Sequence, residues 1–234
     1  MKITPDFPVD KIEGISLFMG LKHNDVLSLI EAAHEKRLHA GGFYYHQGDP
    51  AEYMFVLMRG QVKRLRLGSD GRQSLIEVVN PIQPFGLVAM TGSTYPVTAQ
   101  AAEDCQAIAW HQHEMMQQVM HIPQLALNAM KIMSEQLSEI QERFHQVTTQ
   151  RVEQRLAHTL IRLAAQSGKR VKEGIMIDLG LTRRDLAEMS GTTLYTASRT
   201  LSQWHGQELV VAGREKVIIR NPHGLIRIIE DNSL

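Results

Sequence analysis

The sequence predicts an α+β chain in three parts: a small antiparallel β-barrel or roll, one long helix, and a helix-turn-helix followed by a β-hairpin. Three observations predict it. Short segments of strand character, separated by turn residues, fill residues 41–110, and such spacing suits a small closed sheet. After Pro123, apolar residues recur at alternating steps of four and three, which is the period of a coiled-coil seam. Residues 181–204 then hold two short amphipathic helices around a glycine. The parts set expected domain limits at 1–121, 122–149 and 150–234.

A chain of 234 residues, 43% hydrophobic and 21% charged, has the composition of a globular protein with room for one large or two modest domains. No apolar run approaches a membrane span and the start lacks an apolar signal core, so a cytoplasmic protein is expected. Cys105 is the single cysteine, which excludes an internal disulfide and any all-cysteine zinc or iron–sulfur site within one chain. The net charge of zero divides unevenly. Residues 151–234 hold 13 Lys+Arg against 9 Asp+Glu, and residues 1–150 hold 12 against 16. The +4 half is the one with the helix-turn-helix, as attraction to phosphates requires.

Taken in order, residues 12–37 read as helical, with Leu17, Leu21, Leu27 and Ile30 among the apolar positions. Strand character follows at 44–46, 53–58, 62–67, 74–79, 97–101 and 106–110, with a hairpin turn at Asp70-Gly71. In the long helix, Ala126, Met130, Met133, Leu137, Ile140, Phe144 and Val147 form the seam, about three heptads of it. A strict seam just before a paired-helix motif favours a parallel homodimer, because two reading helices then face two half-sites one turn of DNA apart. A further helix over 151–166, a strand over 175–179 and a hairpin at 209–211 and 217–220 complete the chain.

Within residues 181–204, Thr182 is a natural N-cap, with Asp185 in the acid position of a capping box. Leu186 and Met189 form the inner face, Gly191 makes the turn, and Thr192 or Thr193 caps the second helix. Leu194, Ala197 and Leu201 are expected inward, leaving Tyr195, Thr196, Ser198 and Arg199 outward. Short hydroxyls and an arginine near a helix N-terminus suit phosphates and base edges in a DNA major groove. Thr182, Arg183 and Thr193 join that face, and Arg214 at the tip of the hairpin would reach the backbone.

Eleven histidines invite a metal reading. His111-Gln112-His113 has the spacing that lets a strand offer two rings to one ion. That gives the rival class, a metal-dependent, cupin-like enzyme domain fused to a DNA reader. Against it, Glu114 follows at once, and a cupin places its acid later; a protein that is not an enzyme is expected. Cys105 reads as a small residue in or beside a strand.

Together these parts resemble the Crp–Fnr family of bacterial transcription regulators over essentially the whole chain. The stretch HQGDPAEYMFVLMRGQVKRLR (residues 46–66) looks like that family's roll motif, with Gly48 and Gly60 at its turn glycines, and TRRDLAEMSGTTLYTASRTLS is similar to its DNA-binding motif. The resemblance implies a cyclic-nucleotide-binding-type β-roll, a dimerisation helix with Met130, Met133, Leu137, Ile140 and Phe144 in its seam, and a C-terminal winged helix. It also implies a homodimeric activator that reads palindromic double-stranded DNA and contacts RNA polymerase.

The departures bear on the effector. Members that bind cyclic AMP carry Phe-Gly-Glu and then Arg-Ser; here the segments are Phe85-Gly86-Leu87 and Tyr95-Pro96-Val97. Leucine cannot accept from a ribose hydroxyl, and proline has no N–H to offer a phosphate. Iron–sulfur members carry an N-terminal cysteine cluster, which this chain lacks. Neither cyclic AMP nor an iron–sulfur cluster is therefore expected. GTTLYTASRTLSQW resembles the subgroup that regulates nitrite and nitric oxide reductases, where the resemblance implies nitric oxide as signal and haem as cofactor.

Overall fold

The computed structural model describes residues 9–68, 71, 73–177, 179–213 and 216–231. The chain divides into two compact units, residues 1–139 and 140–234.

In the first unit, helices α1 (Val9–Glu13) and α2 (His23–Glu31) precede eight strands. These are β1 (His34–Leu38), β2 (Phe43–Tyr45), β3 (Tyr53–Arg59), β4 (Val62–Leu67), β5 (Gln73–Val79), β6 (Pro84–Phe85), β7 (Thr98–Ala101) and β8 (Cys105–His111). They form two four-stranded antiparallel sheets, ordered β1-β8-β3-β6 and β2-β7-β4-β5. One helix over 12–37 is thus corrected to two short helices and a strand. Glu35, Lys36, Arg37 and Leu38 suit a helix by propensity, but pairing with β8 from His34↔Ala109 to Leu38↔Cys105 overrides it.

Side-chain alternation divides β8 between two environments. Trp110 packs edge-on against Phe18 and donates its indole N–H to the Leu29 carbonyl at 2.7 Å, on the side of the helices. Ala107 and Ala109 lie on the opposite, inner face. Gly60 shows why the β3–β4 turn needs glycine: φ is +87°, and a Cβ there would lie 2.6 Å from the Asp104 carbonyl oxygen and 2.7 Å from Cys105 Sγ.

Helix α3 (Gln112–His121) leads into α4 (Pro123–Thr149). Helix α4 carries two apolar stripes. Leu125, Ala129 and Ile132 are buried on the roll, where Asn128 Nδ2 also donates to the carbonyls of Leu17 and Met19 at 2.8 and 2.9 Å. The seam residues Met130, Met133, Leu137, Ile140, Phe144 and Val147 are solvent-exposed in the single chain, Ile140 by 61%.

In the second unit, α5 (Val152–Ser167), β9 (Gly168–Val171) and β10 (Gly174–Ile177) precede α6 (Arg183–Met189) and α7 (Leu194–Gly206). Strands β11 (Val210–Ala212) and β12 (Val217–Ile219) and helix α8 (Pro222–Glu230) follow. The hairpin belongs to a four-stranded antiparallel sheet, β11-β12-β10-β9. Strand β10 ends at Ile177, earlier than the expected strand. Helix α8 has a start signal that propensity alone underrates. The Asn221 side chain accepts from the Gly224 N–H, and Pro222 opens the first turn. Its far end is held from α5, where Gln154 Nε2 donates to the Ile229 and Asp231 carbonyls at 3.1 Å each.

Candidate nucleic-acid interface and sensor pocket

The entry to α6 is the expected capping box: the Asp185 N–H donates to Thr182 Oγ1 at 3.2 Å, and the Thr182 N–H donates to Asp185 Oδ2 at 2.7 Å. Between the helices Gly191 sits at φ +60°, the left-handed region a side chain resists. The second cap is Thr193, whose Oγ1 accepts from the Thr196 N–H at 3.1 Å. From that cap onward, Ala197, Leu201 and Trp204 turn into the core.

Tyr195 is 74% exposed, and Arg199, four residues on along the same helix face, is exposed as well. Arg199 makes no hydrogen bond or ion pair with the described residues, so its guanidinium fork is available to a ligand. Thr182 and Thr193 are exposed, and Arg183, Thr196 and Ser198 are half-buried beside that face. The Thr196 hydroxyl is engaged with Thr193 Oγ1 at 2.9 Å, which ties it to the cap. Leu194 departs from the expectation. It is 43% exposed because, as the first residue of α7, it precedes the turn that contacts α6. Arg214 lies outside the described residues.

Sequence reasoning missed the residue that holds this motif in place. Arg155 Nε donates to the Ser190 carbonyl at 2.8 Å and Nη2 to the Gly191 carbonyl at 2.9 Å, both in the turn between the helices. Its Nη1 reaches the Gln150 carbonyl just beyond the end of α4, at 2.7 Å. A planar fork reaches three acceptors spread over two segments at once, where the compact ammonium of lysine could not span them. Arg155→Ala is expected to lower stability by about 3 kcal/mol, since three charge-assisted bonds are lost and carbonyls are stranded. Urea unfolding checks this; a loss within about 0.5 kcal/mol would place Arg155 with ordinary surface residues.

In the roll, Phe85, Gly86, Leu87 and Pro96 come together as expected, lining a cavity of about 260 Å³ on the side of α4. Tyr45, Arg64, Met133 and Gln136 also line it, beside Val88 and Thr91, and the sequence alone marks none of these as a pocket residue. Tyr95 is elsewhere: its ring stacks on Tyr45 at 3.7 Å, and its hydroxyl donates to the Tyr53 carbonyl and accepts from the Tyr53 N–H. Val97 is buried in the core and does not line this cavity. The cavity's arginine is partly matched: Arg64 Nη1 lies 2.6 Å from Glu77 Oε2 across the β4–β5 pair, while its buried Nε has no hydrogen-bond partner among the described residues. Burial pushes the Tyr45 phenol well above its usual range, so it remains neutral.

The histidines are dispersed. His111 caps α3 by accepting the His113 N–H, His23 binds Glu13 at 2.7 Å and His121 binds the Gln117 carbonyl at 2.7 Å. Among the described residues no group of three or more His, Cys, Asp or Glu is placed to hold a metal ion. The Cys105 thiol is buried, donates to the Gln61 carbonyl at 3.1 Å and is pushed up in pKa by that burial. Among the described residues no helix is long and apolar enough to cross a membrane.

Comparison with known proteins agrees with this geometry. A sequence profile described as a Crp-like helix-turn-helix domain matches residues 154–228, and one described as a cyclic nucleotide-binding domain matches residues 35–121. The transcriptional activator protein Anr of Pseudomonas aeruginosa is 27% identical over 209 residues, covering 88% of this chain and 84% of the relative. The nitrogen fixation regulation protein FixK of Azorhizobium caulinodans is 26% identical over 180 residues, covering 76% of this chain and 72% of its own length. The structure of FixK2 from Bradyrhizobium japonicum superposes with a TM-score of 0.71 at 25% identity, over 84% of this chain and 96% of that one. A Crp/Fnr-family regulator from Thermus thermophilus shares the fold, with a TM-score of 0.73 at 20% identity over 86% of this chain and all of that one. With both profiles in order, the roll and the capped helix pair identify the chain as a DNA-binding transcription regulator of the Crp–Fnr family.

Proposed function

We propose that the protein acts in the cytoplasm as a homodimeric activator that reads a palindromic DNA site, contacts RNA polymerase and answers to an effector other than cyclic AMP. The single observation that carries the reading is the exposed face of α7 with Tyr195 and Arg199 on it, projecting from a doubly capped helix pair. The exposed seam of α4 supports the dimer, since six apolar positions at heptad spacing would otherwise stay in water. The segments 1–121, 122–149 and 150–234 then serve as sensor, dimerisation helix and DNA reader.

For the effector, the helix-side cavity supplies the argument. Leu87 stands where an acid would hold a ribose, Pro96 offers no N–H, and one arm of the Arg64 fork is taken by Glu77. Calorimetric titration with cyclic AMP is expected to show no binding at millimolar concentration, and a micromolar constant would overturn this reading. An iron–sulfur cluster is equally outside the proposal, as one cysteine cannot ligate it. Haem with nitric oxide is the candidate that the family resemblance brings. The helix-side cavity does not fit haem well: no histidine or cysteine lines it, and Met133 and Tyr45 are its residues of a kind that can ligate haem iron. An absorption spectrum after haem reconstitution, with and without nitric oxide, tests the candidate directly.

A further inference from the structure

The joint between the end of the long helix and the helix pair is built around one side chain. Helix α4 keeps its bonding to the last turn, where the Gln150 N–H donates to the Gln146 carbonyl at 3.0 Å. Arg151 then breaks the run: its backbone is extended, with φ −67° and ψ 157°, and α5 starts afresh at Val152. One extended residue between two helices leaves their angle soft unless something spans the break.

Arg155 spans it. Its Nη1 bonds the Gln150 carbonyl on the α4 side, while Nε and Nη2 bond the Ser190 and Gly191 carbonyls in the turn between α6 and α7. These carbonyls lie just past the ends of α4 and α6, where helices lack internal donors and favour a cation. Val147 adds an apolar contact at the same point. A Cβ on Gly191 would lie 3.3 Å from Val147 Cγ2 and 3.8 Å from Cγ1, so the glycine backbone faces these methyls. Residues 140–149 and the helix pair belong to the same compact unit.

The helix pair has its own supports without Arg155. Thr182 and Thr193 cap α6 and α7 from within. Ser190 Oγ donates to the Leu186 carbonyl at 2.6 Å and lies 3.2 Å from Thr159 Oγ1, a buried pairing between α6 and α5. What Arg155 adds is the tie to the end of α4, and Gln150 Nε2, 3.4 Å from His158 Nε2, adds a weaker one.

We propose that Arg155, backed by Val147, is a positioning residue that fixes the reading helix to the end of the seam and so sets the spacing at which two half-sites are read. The inference rests on the homodimer proposed above. In such a dimer the seam fixes both ends of α4 about the two-fold axis, and this joint carries their separation to α7. One base pair more or less moves a half-site by about 3.4 Å and about 35° around the duplex, which a stiff joint cannot follow. A loosened joint can.

For the test, the palindrome selected by the wild-type protein is remade with its centre one base pair longer and one shorter, beside a duplex with a single half-site that reports base preference. In gel-shift titrations of the full-length chain at low salt, wild type is expected to lose at least about thirtyfold in affinity at either altered spacing. Arg155→Gln is expected to lose only about threefold, with its base preference inside the half-site kept. Arg155→Lys, which keeps the charge but not the span, should resemble Arg155→Gln. Circular dichroism verifies folding and sedimentation verifies dimers. If the Arg155 variants fail either check, Val147→Ala, which leaves all three arginine bonds in place, carries the test with an expected loss of about tenfold. A purely structural role lowers affinity for every spacing by one factor, so an unchanged spacing preference in the folded variants overturns the proposal. Loss of base preference inside the half-site overturns it as well, because Arg155 would then shape the reading helix itself. A wild type indifferent to spacing would overturn the homodimer reading, and this inference with it.

Discussion

Ile140→Glu is expected to turn the protein into monomers that no longer hold a palindromic site. In the single chain the Ile140 side chain is 61% exposed, and Leu137 and Phe144 beside it are 56% and 71% exposed. A helix that already buries Leu125, Ala129 and Ile132 elsewhere gains nothing within its own chain from this stripe. In the proposed dimer a second copy would cover it, and a glutamate in the middle would then be buried opposite its own symmetry mate. An unpaired buried charge costs several kcal/mol, and the two-fold axis doubles the insult. Sedimentation measures the result, with a gel-shift on a two-half-site duplex beside it. An intact dimer would show that the stripe is covered by something other than a second copy.

Arg199→Ala is expected to cost roughly 2–6 kcal/mol on the specific site, the sum of two guanine contacts of about 1–3 kcal/mol each in a symmetric complex. The basis is geometric: Arg199 is exposed, it is uncommitted among the described residues, and it shares a helix face with Tyr195. A fork that reads O6 and N7 of guanine is planar, so Arg199→Lys should recover non-specific affinity and leave specificity impaired. Tyr195 can lie against a thymine methyl or reach a phosphate, and its replacement should change one base preference per half-site. Site selection on wild type and Arg199→Ala separates the roles. Uniform weakening with unchanged base preferences and a shallower salt slope would make Arg199 a phosphate clamp.

Much of this was legible in the sequence because local signals carried it. The capping box of Thr182 and Asp185 and the turn glycine Gly191 are encoded within a few residues, and both stand as read. Strands β3, β4 and β5 emerged from their turn residues. Strand β1 did not, since its polar composition resembles a helix and only the partner strand β8 decides its state. Helix α8 was overlooked because its stability comes from packing on α5. The helix-side cavity was half-legible: Phe85, Gly86, Leu87 and Pro96 are neighbours in sequence, whereas Arg64 and Met133 arrive from other elements. Arg155 was invisible for the same reason, since its two partners in the helix-turn-helix lie 35 and 36 residues away.

Met133 lines the helix-side cavity and is also a member of the exposed seam on α4. On the proposed function one side chain would then have two claimants, an effector inside the roll and a second copy of the chain outside it. Binding equilibria that share a group are thermodynamically linked, and the coupling is reciprocal: whatever factor the ligand imposes on self-association, self-association imposes on the ligand. The apparent ligand affinity should then vary with protein concentration across the monomer–dimer midpoint and become constant on either side of it. Replacing Met133 by a shorter side chain should flatten that dependence, so that signal and assembly titrate independently.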